Sequence, residues 1–452
     1  MTKQYDVLFL GSGHAAWHAA LTLSKAGKSV AMIEKDRIAG TCTNYGCNAK
    51  IVLEYPFEIL EQASHYPKMI NTTRLKVDWD TLMQHKHRVI DPLAGHLQHL
   101  FEQNGIDIIR GSGQLVDEHT IQVDHTLYYG AHIVIATGQR SHQLDIKGQA
   151  LTHDSRDFLS LAHMPKHITF LGIGIISIEF ASIAIKSGAE VHMIHHNDRP
   201  VKGFYHKHVT KLIEKLANEG VHFHMNESTQ SITQHGQSYT VTTASGLNLQ
   251  THYVLDATGR IPNVTSIGLD TVGIVYSKKG IQVDEYMRTS VPHIYASGDV
   301  VDKTIPKLTP TATFESNYIA SHILNPDQQP ITYPAIPSVL YTLPRLANIG
   351  VSIEEAIQND KYRVVDIPFG QRMAFEYKNE TDAQMTIALD EANHLVGAAI
   401  YADDAADLIN ILVFIINQKL QAQDLNQMIF AFPGASSGVI DLLKEAMMTE
   451  SL

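Results

Sequence analysis

Both cysteines of this 452-residue chain, Cys42 and Cys47, fall in one short stretch, GTCTNYGCNAK, at residues 40 to 50. Two thiols at Cys-x4-Cys spacing can form a redox disulfide or contribute half of a metal site. They can also do no chemistry, since a free cysteine packs as a small hydrophobe, and spacing alone makes burial the default reading. A single pair cannot build a disulfide framework. Histidine is abundant, with 26 residues. The pairs His85/His87 and His96/His99, however, lack a carboxylate or cysteine companion at a recognisable ligand spacing. They read as solvated helix faces, and no metal site is expected. A formal charge of -12 without a basic tract argues against nucleic acid as a partner.

A chain this long, with 44% hydrophobic residues, exceeds one ordinary core and should divide into roughly two to four domains. Two segments repeat one design. In the first, DVLFLGSG leads into GSGHAAWHAALTLSKAG and then SVAMIEK, giving strand, Gly-rich turn, helix and strand. Gly11 suits the tight turn, Gly13 a close backbone approach to a pyrophosphate, and the small Ala15 and Ala16 close helix packing. Glu34, followed by Lys35, closes the second strand where a ribose hydroxyl would bind. In the second copy, HITFLGIGIISIEFASIAIKSGAEVHMIHH, Gly172 and Gly174 take the same places. Ile175 and Ile176 open the helix, and Ser177 stands where a third glycine is usual. Its second strand ends in His195 and His196, with Arg199 and Lys202 following and no carboxylate. Positive or hydrogen-donating groups there favour the 2'-phosphate of NADPH, with NADH possible; the bland alternative is a set of surface loop residues.

Further strand-to-turn signals follow. Gly113 lies after the first repeat; Ala136, Thr137 and Gly138 lie in VIATGQR, and Gly259 and Arg260 in LDATGRIPN. Asp299 comes in IYASGDV, and Thr309 and Ala312 in KLTPTA. In this order the set resembles the flavoprotein disulfide reductases, the class I pyridine nucleotide-disulfide oxidoreductases related to glutathione reductase, over essentially the whole chain. The most specific element is the opening stretch, which matches the family pattern Gly-Thr-Cys-x-Asn-x-Gly-Cys; Asn48 and Ala49 replace the usual Pro and Ser before Lys50.

The resemblance implies an α/β fold of two Rossmann-like dinucleotide-binding domains plus a C-terminal α+β dimerisation domain. Residues 1–150 would begin the FAD domain and 263–330 complete it, around an NAD(P)H domain at 151–262, with the dimer-interface domain at 331–452. The implied cofactors are FAD and NADPH. Cys42 would be the interchange thiol, kept at depressed pKa, and Cys47 the charge-transfer thiol against the flavin. Lys50 would pair with Glu179 where nicotinamide and flavin stack. Thr41 would lie against the flavin, Asp299 would bind the ribityl chain, and Thr309 with Ala312 would line the flavin. Ile175 replaces the tyrosine that often gates the nicotinamide.

The family's late His-Pro-Thr-x-x-Glu motif, which protonates a departing thiolate across the dimer, reads FPGASS here. Phe432 takes the His position and Ser437 the Glu position. A thiol of pKa near 8.5 leaves poorly without a general acid, so a bulky disulfide substrate is disfavoured. The expectation is a small oxidant, foremost hypothiocyanous acid, whose reductases belong to this family. Cu(II) reduction and a non-catalytic flavin-binding protein are the alternatives. Mercury is disfavoured, because no C-terminal cysteine pair is present to deliver it. A homodimer is implied, with each site completed by the partner chain. The late apolar run LINILVFII is shorter than the roughly 20 residues of a membrane helix and reads as a buried helix at a subunit interface. The N-terminus runs straight into a strand pattern without a signal peptide, so a cytoplasmic location is expected.

Overall fold

The computed structural model describes residues 3–448. The N-terminal sheet sets four parallel strands in the order Ile106–Arg110, Val30–Glu34, Lys3–Leu10, Thr126–Ile135. Antiparallel strands Thr120–Val123 and Gly113–Asp117 extend it. The apolar run of the first strand is buried throughout, with Val7, Leu8 and Phe9 at 0% exposure, as a sheet covered on both faces requires. The chain returns to this sheet much later: Ile294–Ala296 pairs in parallel with Thr126–Ile135. Helix Thr309–Leu324 then packs on helix His14–Lys25, where Ser316 Oγ accepts the Ala19 N–H at 2.9 Å.

Between these passes lies a second parallel sheet, ordered Val221–Met225, Glu190–His195, His167–Leu171, Tyr253–Asp256. A three-stranded antiparallel meander, 229–251, packs beside it through Ile232, Val241 and Leu249. The chain leaves and re-enters the first domain on paired strands, Gln139–Ser141 and Arg260–Pro262. Helix Ile175–Lys186 is buried without a break from Ser177 to Ala184. Its burial extends round the helix because the helix Cys47–Ser64 joins it: Ala49, Leu53 and Phe57 share one core with Phe158, Phe170 and Ile178.

The C-terminal region is a five-stranded antiparallel sheet, ordered Ser338–Leu340, Arg345–Gly350, Leu395–Ala402, Gln384–Leu389, Arg363–Ile367. The LINILVFII run lies in helix Ala405–Asn417, which within one chain is buried on one side. Leu408, Ile409, Leu412 and Ile415 face the sheet at helical spacing, whereas Phe414 is 69% exposed. No helix among the described residues is long and apolar enough to cross a membrane.

A buried charge cluster ties this region to the cysteine-bearing helix. Arg345 reaches Glu54 at 3.1 Å and Glu58 at 2.6 Å, and its other terminal nitrogen donates to Asp403 O at 3.0 Å. Burial, reinforced by the neighbouring Glu58 charge and opposed by Arg345, pushes the Glu54 carboxyl from 4.5 up to about 7. Between those two values the folded chain holds a proton that the unfolded chain has released. This group's contribution to stability therefore falls as pH rises through that window and is level above it. Replacing Glu54→Gln should remove that slope, at most about 1.4 kcal/mol per pH unit for one proton. Urea denaturation of both proteins from about pH 5 to pH 8 checks this: the difference between them should change below about pH 7 and stay constant above.

Candidate active site

Ala39 and Gly40 both adopt left-handed backbone, φ 72° and 71°, which turns the chain into the short helix Gly40–Tyr45. Buried Asn44 locks this turn by donating from Nδ2 to Ile38 O at 2.8 Å and Gly40 O at 2.9 Å. At Gly46 a Cβ would lie 3.1 Å from Thr41 O and 3.2 Å from Cys42 Cα, so only glycine lets Cys47 fold back tightly on Cys42. Cys47 is then the first residue of the 18-residue helix Cys47–Ser64, at the positive end of its dipole. Both thiols are free, Cys47 exposed and Cys42 half-buried, and Cys47 Sγ is 3.7 Å from Thr309 Oγ1.

The protonation of the pair differs from expectation. Cys47, rather than Cys42, is lowered below the usual thiol range, chiefly by a hydrogen bond from Cys42 and further by Thr309 and the charge of Lys50. Cys42 is pushed up, by its hydrogen bond to Cys47 and by burial. Two adjacent sulfurs share one proton, and the helix start and Lys50 favour the anion on Cys47.

One turn along that helix, Lys50 Nζ lies 2.8 Å from Glu179 Oε1. Glu179 is 3% exposed, and the same oxygen accepts the Tyr341 N–H at 2.8 Å. The Tyr341 ring covers the lysine, its centroid 4.2 Å from Nζ. Sequence reasoning missed Tyr341, since nothing in IPSVLYT marks a backbone donor.

The first Gly-rich turn fits a dinucleotide. Gly11 has φ 108°, and a Cβ there would come within 2.4 Å of Ala136 O; a Cβ on Gly40 would lie 2.8 Å from Gly13 Cα. The result is a wall of bare backbone at a helix start, suited to a pyrophosphate. Glu34 Oε2 accepts the Ser12 N–H at 3.1 Å and the Ser12 hydroxyl at 2.7 Å, and Oε1 accepts the Asp36 N–H at 2.9 Å, which leaves about one acceptor site, on Oε1, for a ribose. Thr41 and Lys35 are exposed nearby in sequence. Ala15, Ala16, Ala136 and Ala312 are buried, and Gly298 comes so close to Ala15 that a Cβ would lie 2.6 Å from its methyl. Thr137 Oγ1 donates to Asn263 O, and Arg260 donates to Gln139 O, so the segments bearing Gly138 and Gly259 are stapled together. Gly113 is buried in the sheet, where a Cβ would strike Leu10 at 2.6 Å; the requirement visible there is close packing.

Asp299 lies in the turn Gly298–Val300 with its carboxyl raised by desolvation, against the opposing charges of Lys303, Arg260 and Lys307. The turn is held by Glu315, fully buried, which accepts the Gly298 N–H at 2.6 Å and the Tyr333 hydroxyl at 2.9 Å and pairs with Lys303. Sequence reasoning missed Glu315 too, although it is the only carboxylate in TPTATFESNYIASHIL.

The second Gly-rich turn copies the first. Gly172 has φ 86°, and a Cβ there would lie 3.0 Å from Ala257 O, as Gly11 stands to Ala136 O. Ser177 Oγ bonds to the N–H of Gly174 at 2.9 Å and so closes the helix start on itself. His195 occupies the place of Glu34: its Nδ1 accepts the Ile173 N–H at 3.1 Å, as Glu34 accepts that of Ser12. Burial lowers its pKa below the ordinary histidine value, which favours the neutral imidazole. With Nδ1 accepting, its proton resides on Nε2, which is buried. His196 contacts Asn197, Arg199 lies 3.6 Å from Glu354 and is 61% exposed, and Lys202 is exposed. Ile175 is 40% exposed at the first helical turn, and Ile176 is half-buried.

Phe432 is 79% exposed, in a loop that also exposes Met428 and Ile429. Ser437 is turned inward, its Oγ donating to Gly434 O at 2.9 Å.

Two dinucleotide-binding turns, a vicinal thiol pair between them and a C-terminal α+β domain define a pyridine nucleotide-linked thiol–disulfide enzyme. The profile described as pyridine nucleotide-disulphide oxidoreductase matches residues 5–316, and its dimerisation domain matches residues 336–442. The chain belongs to that family, whose members use FAD and NAD(P)H. It is 29% identical to dihydrolipoyl dehydrogenase of Chlamydia pneumoniae, over 96% of this chain and 95% of that one. It is 28% identical to the chloroplastic/mitochondrial glutathione reductase of Pisum sativum, over 97% of this chain and 82% of that one. Among solved structures it resembles the Cu(II) complex of the HOCl-induced flavoprotein disulfide reductase RclA from Escherichia coli. That likeness has a TM-score of 0.88 and 25% identity, covering 98% of this chain and 100% of that chain.

Proposed function

We propose that this chain is an NADPH-dependent, FAD-containing reductase that uses Cys42 and Cys47 to reduce a small oxidant, hypothiocyanous acid fitting best. The observation that carries this reading is a complete redox stretch combined with Phe432 and Ser437 where a bulky disulfide substrate would need an acid–base pair. The likeness to an HOCl-induced reductase also favours a small oxidant over a large one.

Bound FAD would supply two-electron transfer between the nicotinamide and the cysteine pair. Gly11, Gly13 and Glu34 would hold its adenosine and pyrophosphate, and Asp299, Thr309 and Ala312 its ribityl and ring. The chain's own chemistry then follows from the sulfurs. The Cys42 proton passes to the Cys47 thiolate, and Cys42 attacks as a thiolate on the sulfur of hypothiocyanous acid; the S–O bond breaks, and the departing hydroxide takes that proton from Cys47 as water, leaving Cys47 a thiolate again. The product is a sulfenyl thiocyanate on Cys42. The Cys47 thiolate attacks the Cys42 sulfur, the bond to thiocyanate breaks, and thiocyanate departs as a stable anion. The pair is oxidised by two electrons, the oxidant is reduced by two, and neither departure needs an external acid. Lys50 and Glu179 hold the thiolate end of the helix in place throughout. A homodimer is part of this proposal: the dimerisation domain and the exposed Met428, Ile429 and Phe432 support a partner subunit narrowing the oxidant's approach.

A second reading, reduction of Cu(II), is favoured by the Cu(II) complex of the E. coli protein. Steady-state NADPH oxidation with hypothiocyanous acid, Cu(II), glutathione disulfide and lipoamide compares the readings. Hypothiocyanous acid should turn over at least 100-fold faster than either disulfide, the size of a missing general acid; faster turnover of a bulky disulfide sinks the proposal.

The nucleotide preference rests on His195. A neutral imidazole in place of a carboxylate does not repel a 2'-phosphate, whereas a carboxylate there would accept from a free ribose hydroxyl. Replacing His195→Glu should therefore raise the NADH-to-NADPH ratio of kcat/KM by 10-fold or more, about 1.4 kcal/mol. An unchanged ratio removes His195 from nucleotide choice.

A further inference from the structure

The nucleotide-binding domain carries a second group of ligand-type side chains, on the adjacent strands Glu190–His195 and Val221–Met225. Side chains alternate along a strand, so Glu190 and His192 share one sheet face, and the parallel register sets His222 beside His192 on it. Glu190 Oε1 is 3.1 Å from His192 Nε2, and one ligand atom from each of Glu190, His192 and His222 lies within 4.8 Å of the others. The His192 and His222 rings stack, their centroids 4.7 Å apart.

We propose that Glu190, His192 and His222 form a binding site for a divalent transition metal of the zinc class, separate from the redox pair. Two imidazoles and one carboxylate without a thiolate suit Zn(II) or Cu(II) and leave a fourth position for water. Tetrahedral ligands bound at 2.0–2.1 Å stand roughly 3.3 Å apart, so the Glu190–His192 separation already fits. His222 is exposed and closes the remaining distance by side-chain rotation.

The surrounding groups strengthen the assignment. A metal on His192 Nε2 requires the ring proton on Nδ1, and His224 Nε2 stands 3.0 Å from that Nδ1, placed to accept it. The second Glu190 oxygen is 3.4 Å from His167 Nδ1, which orients the carboxylate. Such outer partners are what metal-ligating imidazoles and carboxylates ordinarily have. The metal would cross-link the edge strand Val221–Met225 to its neighbour, whose far end carries His195.

The test uses the FAD-loaded, full-length Cys42→Ser/Cys47→Ser protein, so that thiols do not compete, titrated with Zn(II), Cu(II) or Mg(II) by calorimetry. One equivalent of Zn(II) per chain, tighter Cu(II) and no Mg(II) are expected. Either His222→Ala or Glu190→Gln should abolish stoichiometric binding with an unchanged circular dichroism spectrum, and His224→Ala should weaken it about 10–100-fold. Absence of stoichiometric Zn(II) binding, or binding that survives both His222→Ala and Glu190→Gln, overturns the proposal and leaves a metal-free hydrogen-bonded network.

Discussion

The buried carboxylate of Glu179 is the constraint on which the rest of the site depends. At 3% exposure it must be compensated or neutralised, because an unpaired buried charge costs several kcal/mol. Its two compensating groups come from different parts of the chain: Lys50 from the cysteine-bearing helix and the Tyr341 N–H from the C-terminal region. One charge thereby fixes three segments against each other. The same helix repeats the device along its length. Glu54 and Glu58 meet Arg345, and Glu61 meets Lys186 at 2.6 Å and Lys215 at 2.7 Å. Breaking any one of these pairs leaves a charge without water, so the helix cannot slide or roll cheaply, and Cys47 at its start is held in place.

That placement matters because the thiol chemistry depends on which groups stand beside each sulfur. Thr309 approaches Cys47 from a helix belonging to the first domain's return pass, and Lys50 approaches from within the cysteine helix. Thr309 favours an anion on the pair, and the Lys50 charge directs it to Cys47. In the proposed chemistry this division is useful. The anionic Cys47 sulfur accepts the Cys42 proton so that Cys42 attacks as a thiolate; that proton then leaves as water, and Cys47, a thiolate again, performs the displacement.

Much of this frame was legible in the sequence, because glycine and cysteine are used where other residues fail. Gly11 and Gly172 were readable because each combines a left-handed backbone with a backbone oxygen too close for a Cβ. The Cys-x4-Cys stretch was readable because its neighbours Gly40, Gly46, Asn44 and Lys50 are each demanded by the turn or the charge. What was not legible depends on partners distant in sequence. The seating of His195 needs the Ile173 N–H, and the role of Tyr341 belongs to its backbone. For the apolar run 408–416, hydrophobicity alone does not say which residues face the sheet or that Phe414 turns outward within one chain. The Glu190, His192 and His222 group was invisible for a similar reason: it is assembled by strand register, across two segments.

The central claim is that Cys42 attacks a small oxidant and Cys47 resolves the product. A Cys47→Ser protein, reduced and mixed with one equivalent of hypothiocyanous acid, tests it by mass spectrometry of the intact chain and its peptides. The account predicts one thiocyanate adduct on Cys42, which is released as free thiocyanate when an external thiol is added. An unmodified Cys42, or NADPH-driven reduction of the oxidant that persists in Cys47→Ser, would contradict it.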